Sequence, residues 1–184
     1  FYAQTDDMAD KVVTACIKEV RRFEAKYSRY QPDSLISAIN RSAGFTRLAI
    51  DQETYALLNY SGVCYDLSEG LFDITSGVLR RLWHKDMTEL PNEADLTKSL
   101  ELVGWHKIEL NEDSICLPLP GMELDFGGVV KEYVADALAE LSREMGIEHG
   151  LINLGGDIRI IGPQENGAPW QIGIVHPTLK NTAI

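Results

Sequence analysis

The sequence predicts an α+β fold, and three observations carry that prediction. Segments with helical spacing of apolar residues alternate irregularly with short extended runs, and several of those runs are paired around turn residues as hairpins. At 184 residues and 45% hydrophobic composition, the chain can also bury a real core, as one domain or two small lobes. No internal repeat or low-complexity tract is visible. A formal net charge of -11 and a pI near 4.8, with no basic stripe, exclude a nucleic-acid backbone as the expected partner. No run approaches the roughly 18 apolar residues that span a bilayer, and the first residues lack a charged-then-apolar leader pattern. The protein is therefore expected either in the cytoplasm or exported with its leader removed. Cys16, Cys64 and Cys116 are too scattered for a disulfide framework or a zinc site and read as small core residues. His84, His106, His149 and His176 are scattered too and read as surface or structural histidines.

Phe1 to Gln4 reads as the tail of a strand. From Asp6, the positions Met8, Val12, Val13, Cys16, Ile17, Val20 and Phe23 recur at helical spacing, acidic residues first and basic residues later, which suits the helix dipole. A polar turn from Tyr27 opens a short helix capped by Asp33 or Ser34 and running to Asn40. Tyr30, beside a proline turn, could stack on a planar ring or sit at the edge of the core. Phe45 to Ile50 reads as a strand, and Asp51 caps a helix to about Ser68 that Gly70 stops, with Leu57, Leu58, Val63, Cys64 and Leu67 buried. Leu71 to Leu79 passes from extended chain into a short helix ending near Trp83, its Asp73, Thr75 and Ser76 explained by capping. Lys85 to Ala94 is a surface connection and Asp95 to Leu102 a short helix. Trp105 to Leu110 and Ser114 to Leu117 form a hairpin around Asn111, Glu112 and Asp113.

Leu124 to Asp136 is the stretch around which the chemistry gathers. It reads as a short strand ending at Asp125, a turn through Gly127 and Gly128, and an amphipathic helix with Lys131 in its opening turns. Such a turn leaves backbone N–H groups free to face an anion, with a carboxylate and an ammonium group close by. The glycines fit neither standard nucleotide fingerprint, so a plain strand-to-helix turn explains the pattern as well. The helix ends at Gly146. Leu151 to Ile161 is a strand, a bend at Gly155 and Gly156, and a second strand, where the glycines imply a bulge or a close approach by backbone or ligand. Asn166-Gly167 marks a turn, and Trp170 to Val175 reads as a last strand.

Four segments in order together resemble the ApbE family of FAD:protein FMN transferases. They are Tyr27-Ser-Arg-Tyr30 through Asn40, Phe72-Asp-Ile-Thr-Ser-Gly77, Leu124 through Asp136, and Asn153-Leu-Gly-Gly-Asp-Ile158 followed by Trp170 and Pro177. The resemblance implies a two-lobed, T-fold-related α+β domain over residues 1–184, with FAD in a cleft between lobes. It implies magnesium-dependent transfer of FMN from FAD to a threonine or serine hydroxyl of an acceptor. FAD hydrolysis to FMN and AMP, and FAD storage without chemistry, are the alternatives. By the same resemblance Tyr30 stacks on the flavin, Leu71, Phe72 and Asp73 line the FAD site, and Asp125 and Lys131 hold further FAD groups. The Gly128 carbonyl is implied as a magnesium ligand, and Asn153, Gly155, Gly156 and Asp157 as a second glycine-rich element near the cofactor. Two family features have no match here: a starting Met-Gly-Thr strand and a distal His-x-x-Asp-Pro-x-Thr-Gly motif, the implied source of side-chain magnesium ligands. His176-Pro177 does not replace it. These residues alone are accordingly expected to bind metal weakly and turn over little. Family members are usually exported and often lipid-anchored, and the implied acceptor is a flavoprotein subunit of a membrane redox complex.

Overall fold

The computed structural model describes residues 1–83, 87, 89–174, 176 and 178. The order of elements is α1 (Asp6–Tyr27), α2 (Leu35–Arg41), β1 (Leu48–Ala49), α3 (Gln52–Leu67), a 3-10 turn (Gly77–Arg81) and α4 (Glu93–Leu100). A second 3-10 turn (Trp105–Lys107), β2 (Glu109–Asn111), β3 (Ser114–Cys116), α5 (Val130–Glu144), β4 (Gly150–Leu154) and β5 (Asp157–Gly162) follow. The chain divides into two compact units. One holds Phe1–Ile17 and Ala135–Ile184, and the other holds Lys18–Val134. The mixture of helices with two small antiparallel sheets is the expected α+β class.

In the first unit, Val12, Ala139, Ile147 and Ile161 form a buried cluster against which Met8, Cys16 and Ile152 pack. The β4–β5 hairpin turns at Gly155 (φ +67) and Gly156 (φ +109). A Cβ at either glycine would meet nothing within 4 Å. Positive φ at both turn residues is therefore what requires glycine, as in a two-residue hairpin turn, and among the described residues neither a bulge nor a close approach by other backbone is involved. Phe1 to Gln4 is not a strand, although Tyr2 N–H does donate to the His149 carbonyl at 3.0 Å. Residues 170–174 form no strand either, pairing with no edge among the described residues; Val175 lies outside them. The Asn166-Gly167 turn is present, with Gly167 N–H donating to the Gln164 carbonyl at 2.8 Å.

The second unit is built on a three-stranded sheet in the order β1-β3-β2, with Ile115 opposite both Leu48 and Leu110. Ile115, Leu117, Leu57, Leu58, Ile36 and Ile39 are buried, so the helices α2 and α3 each bury one face in this unit. Ser34 caps α2 by accepting from Ser37 N–H at 3.0 Å, and Asp51 caps α3 by accepting from Thr54 N–H at 3.0 Å. Gly70, at φ +81, ends the turn after α3 by donating to the Tyr65 carbonyl. Two of the expected α3 core positions are instead on the surface: Val63 is 51% and Leu67 82% exposed. The extended run at 45–50 shrinks to two paired residues, and Trp105–Lys107 is helical where the first hairpin strand was expected to begin. His84 and part of the Lys85 to Ala94 connection lie outside the described residues.

One charged network ties the C-terminal end of α1 to the start of α3. Arg22 grips Glu53 with two N–H···O bonds of 2.7 and 2.9 Å, Lys26 donates to Glu53 at 2.7 Å, and Tyr27 donates to it at 3.1 Å. The Arg22 bonds, opposed by burial and reinforced by Lys26, hold the Glu53 carboxyl down at about 2. At Asp51 burial pushes upward, but bonds from Lys26 and Thr54 outweigh it and leave the carboxyl at about 2. Because these folded-state values lie below the unfolded ones, the network stabilises the fold above about pH 4.5 and loses that contribution as the pH falls towards 2. Solvent reaches these groups, so we expect Glu53→Gln to cost only about 1–2 kcal/mol at pH 7. Denaturant titrations of the two proteins should differ at pH 7 and converge as the pH approaches 2; a constant difference across that range would contradict this account.

Candidate functional site

The site is assembled in the second unit by three segments that are far apart in sequence. Leu124 and Asp125 are extended but pair with no full strand, which departs from the expected strand. Only an isolated parallel bridge between Ser76 and Glu123 is formed, and Asp125 N–H donates to the Ile74 carbonyl at 2.8 Å. Asn40 supplies the missing edge with its side chain: its amide donates to the Leu124 carbonyl at 3.0 Å and its carbonyl accepts from Leu124 N–H at 2.7 Å. Asp125 then accepts from Gly127 N–H at 2.9 Å, which shapes the turn, and the Phe126 carbonyl accepts from Val129 and Val130 N–H at 3.0 Å as the chain enters α5. Lys131 is the second residue of that helix.

Asp73 organises the facing loop. One carboxylate oxygen accepts from Thr75 N–H (2.8 Å) and Thr75 Oγ1 (2.6 Å), and the other accepts from Trp105 N–H (3.0 Å). Its two oxygens thus maintain the shape of the wall. Ser76 makes no capping bond with its side chain, so the loop is held by Asp73 and Thr75 instead of by the cap expected there. Phe72 lies against the glycine turn: a Cβ on Gly128 would come within 2.9 Å of Phe72 Cε2. Gly128 is bare because the aromatic edge occupies the space a side chain would take.

Two adjoining pockets result. Leu71, Phe72, Asp73, Arg80, Asp125 and Gly128 line a pocket of about 410 Å3, and Tyr30, Asp125, Phe126 and Lys131 line one of about 220 Å3. Asp125 and Gly127 belong to both walls. Tyr30, Leu71, Phe72, Asp73, Asp125, Gly128 and Lys131, seven of the positions the resemblance implies, therefore border two pockets that share Asp125 and Gly127. Tyr30 is 74% exposed, which rules out the reading of it as a core-edge residue. Phe23, Tyr27 and Phe126 line the smaller pocket with it, Tyr27 stacked on Phe23 at 5.9 Å and 5.7 Å from Phe126. Asn153, Gly155, Gly156 and Asp157 lie in the first unit, at the β4–β5 turn.

Sequence reasoning missed the arginines of this site. Arg29 donates to Asp125 at 3.2 Å, to Glu123 at 2.9 Å and to the Gly77 carbonyl at 3.1 Å. Arg80 donates to Asp125 at 3.3 Å and to the Tyr30 hydroxyl, and Arg81 binds Glu123. Two consecutive arginines just after Gly77, in so acidic a chain, were the available signal. The chemistry offered is an exposed aromatic ring, a bare glycine turn and guanidinium groups around one carboxylate. Those features suit a planar ring joined to an anionic phosphate chain. Among the described residues, no group of three or more His, Cys, Asp or Glu side chains could hold a metal ion.

Comparison with known proteins agrees with this architecture. The chain is 27% identical over 180 residues to the FAD:protein FMN transferase of Klebsiella pneumoniae, covering 96% of this chain and 54% of that protein. It is 30% identical over 155 residues to the Chlamydia pneumoniae protein of the same name, covering 82% and 49%. The chain thus spans about half the length of the curated relatives it matches. Among solved structures, an ApbE flavin transferase of Vibrio cholerae superposes with a TM-score of 0.86 at 23% identity, over 96% of this chain and 63% of that one. An ApbE protein of Thermotoga maritima does so with a TM-score of 0.86 at 24% identity, over 98% and 60%. Since the sequence profile of the ApbE family matches residues 2–184, nearly the whole polypeptide, this chain belongs to the ApbE family.

Proposed function

We propose that this chain forms the FAD-binding part of a magnesium-dependent transferase that moves FMN from FAD to a threonine or serine hydroxyl of an acceptor protein. One observation carries the reading: Tyr30, Leu71, Phe72, Asp73, Asp125, Gly128 and Lys131 border adjoining pockets that share Asp125. In the reaction, the acceptor hydroxyl forms a P–O bond to the FMN phosphorus as the pyrophosphate P–O bond breaks. AMP leaves with the bonding electron pair, and the hydroxyl proton is released.

Tyr30 presents its ring to the flavin, Leu71 and Phe72 confine it, and Lys131 supplies positive charge. Asp125 fixes the Gly127–Gly128 turn. A bound magnesium ion would stabilise the charge building on the phosphate oxygens, and the ligand this chain offers it is the Gly128 carbonyl. That single oxygen is not a complete metal site by itself. The acceptor is proposed to be a flavoprotein subunit of a membrane redox complex, met outside the cytoplasm by a lipid-anchored enzyme.

The test incubates the intact protein with FAD, magnesium and an acceptor carrying the target threonine, and then looks for flavin fluorescence that survives denaturation. Release of FMN and AMP without acceptor would indicate hydrolysis instead, and FAD retained unchanged would indicate a storage module. Chelation of magnesium should abolish transfer. For the ring contact, Tyr30→Ala should weaken FAD binding by about 1 kcal/mol or more in a fluorescence titration. Unchanged affinity would remove the stacking role.

A further inference from the structure

We infer that Arg80 is a ligand-responsive phosphate clamp: it is bonded to Asp125 in the free protein and exchanges that carboxylate for the phosphate chain of the bound dinucleotide. The inference rests on the proposed FAD site and deepens it by assigning a specificity residue that neither the motifs nor the relatives' names supply.

The two arginines on Asp125 are not equivalent. Arg29 is enclosed, with its side chain only 17% exposed, and is fixed by Glu123, the Gly77 carbonyl and Asp125 together. Arg80 is 54% exposed and is held by Asp125, at 3.3 Å, and the Tyr30 hydroxyl. If Arg80 swings away, Asp125 keeps Arg29 and Gly127 N–H as partners, so no carboxylate is stranded. Arg80 also borders the larger pocket beside the bare Gly127–Gly128 turn. Its guanidinium sits 5.8 Å from the Tyr30 ring centroid and donates to the Tyr30 hydroxyl.

Two consequences follow from that position. Arg80 reaches both the ring proposed to carry the flavin and the turn proposed to face the phosphates, so a short rotation connects them. A guanidinium also matches a phosphate with two parallel N–H···O bonds, which a phosphate rewards more than an already paired carboxylate does. Discrimination should therefore fall on the phosphate part of the ligand, which Arg80 meets directly, while the ring part is met by Tyr30.

The experiment titrates the intact protein, and its Arg80→Gln and Arg80→Lys variants, with FAD, FMN and riboflavin at low and high salt. We expect Arg80→Gln to lose about tenfold in affinity for FAD and FMN and less than about twofold for riboflavin, which has no phosphate. The salt dependence of FAD binding should flatten in Arg80→Gln, and Arg80→Lys should recover part of the loss. Equal losses for all three ligands would overturn the inference and make Arg80 a support for Tyr30 alone. Unchanged FAD affinity in Arg80→Gln, with normal binding by the wild type, would overturn it while leaving the FAD site intact. A wild-type protein that binds none of the three ligands would instead overturn the proposed function, and this inference with it.

Discussion

Replacing Gly77 with valine is expected to lower stability by about 2–4 kcal/mol and to remove most ligand binding. Even a Cβ at this position would lie 2.9 Å from the Glu123 carbonyl oxygen, 3.0 Å from Arg29 Nη1 and 3.2 Å from the Leu124 carbonyl carbon. Two of those three atoms belong to the backbone and cannot swing aside. Gly77 is not at positive φ, so the demand is for space and not for a special conformation. The displaced group that matters is Arg29, because its guanidinium also pairs with Asp125. Gly77→Ala should show a smaller loss in the same direction, since only the Cβ intrudes. Denaturant unfolding and FAD titration of both variants measure the two effects side by side. A valine variant as stable as the parent would mean that the bridge between Ser76 and Glu123 is not as close-packed as described.

Asp125→Ala is expected to cost about 1–3 kcal/mol and to weaken FAD binding at least tenfold. The carboxylate accepts from Gly127 N–H and from two guanidinium groups, so its removal leaves the glycine turn unsupported and the enclosed Arg29 with Glu123 as its one carboxylate. Asp125→Asn retains an acceptor for Gly127 N–H but loses the charge and the second oxygen, which accepts from Arg29 and Arg80. It should therefore be the more stable of the two variants, with a turn closer to native. Thermal unfolding ranks the pair and isothermal titration reads the ligand. If alanine and asparagine prove equally stable, the Gly127 bond contributes nothing and the turn is held by Phe126 and Phe72 alone.

Much of the fold was legible because local rules carried it. Helical spacing marked α1 and α5, Ser34 and Asp51 capped the helices they precede, and Gly70 and Gly146 stopped the helices before them. The misreadings share one cause. Val63 and Leu67 are apolar residues on the outer face of α3, and apolar identity alone does not say which way a helix is turned. Residues 45–47 and 170–174 have strand-like composition but pair with no edge among the described residues, and pairing is a property of the neighbour.

The candidate site divides along the same line. Its contiguous parts were legible in the sequence: the bare Gly127–Gly128 turn and Lys131 in the first turn of the following helix. Those features depend on backbone geometry over a few residues. Only the tertiary structure decided that Asn40 would stand in for a strand beside Leu124, that Arg29 and Arg80 would converge on Asp125, and that Tyr30 would lie exposed beside them. Those contacts join residues 45 to 96 positions apart. A guanidinium can find a carboxylate at such separations only after the core around Leu124 and Phe126 has packed and set where each chain segment stands.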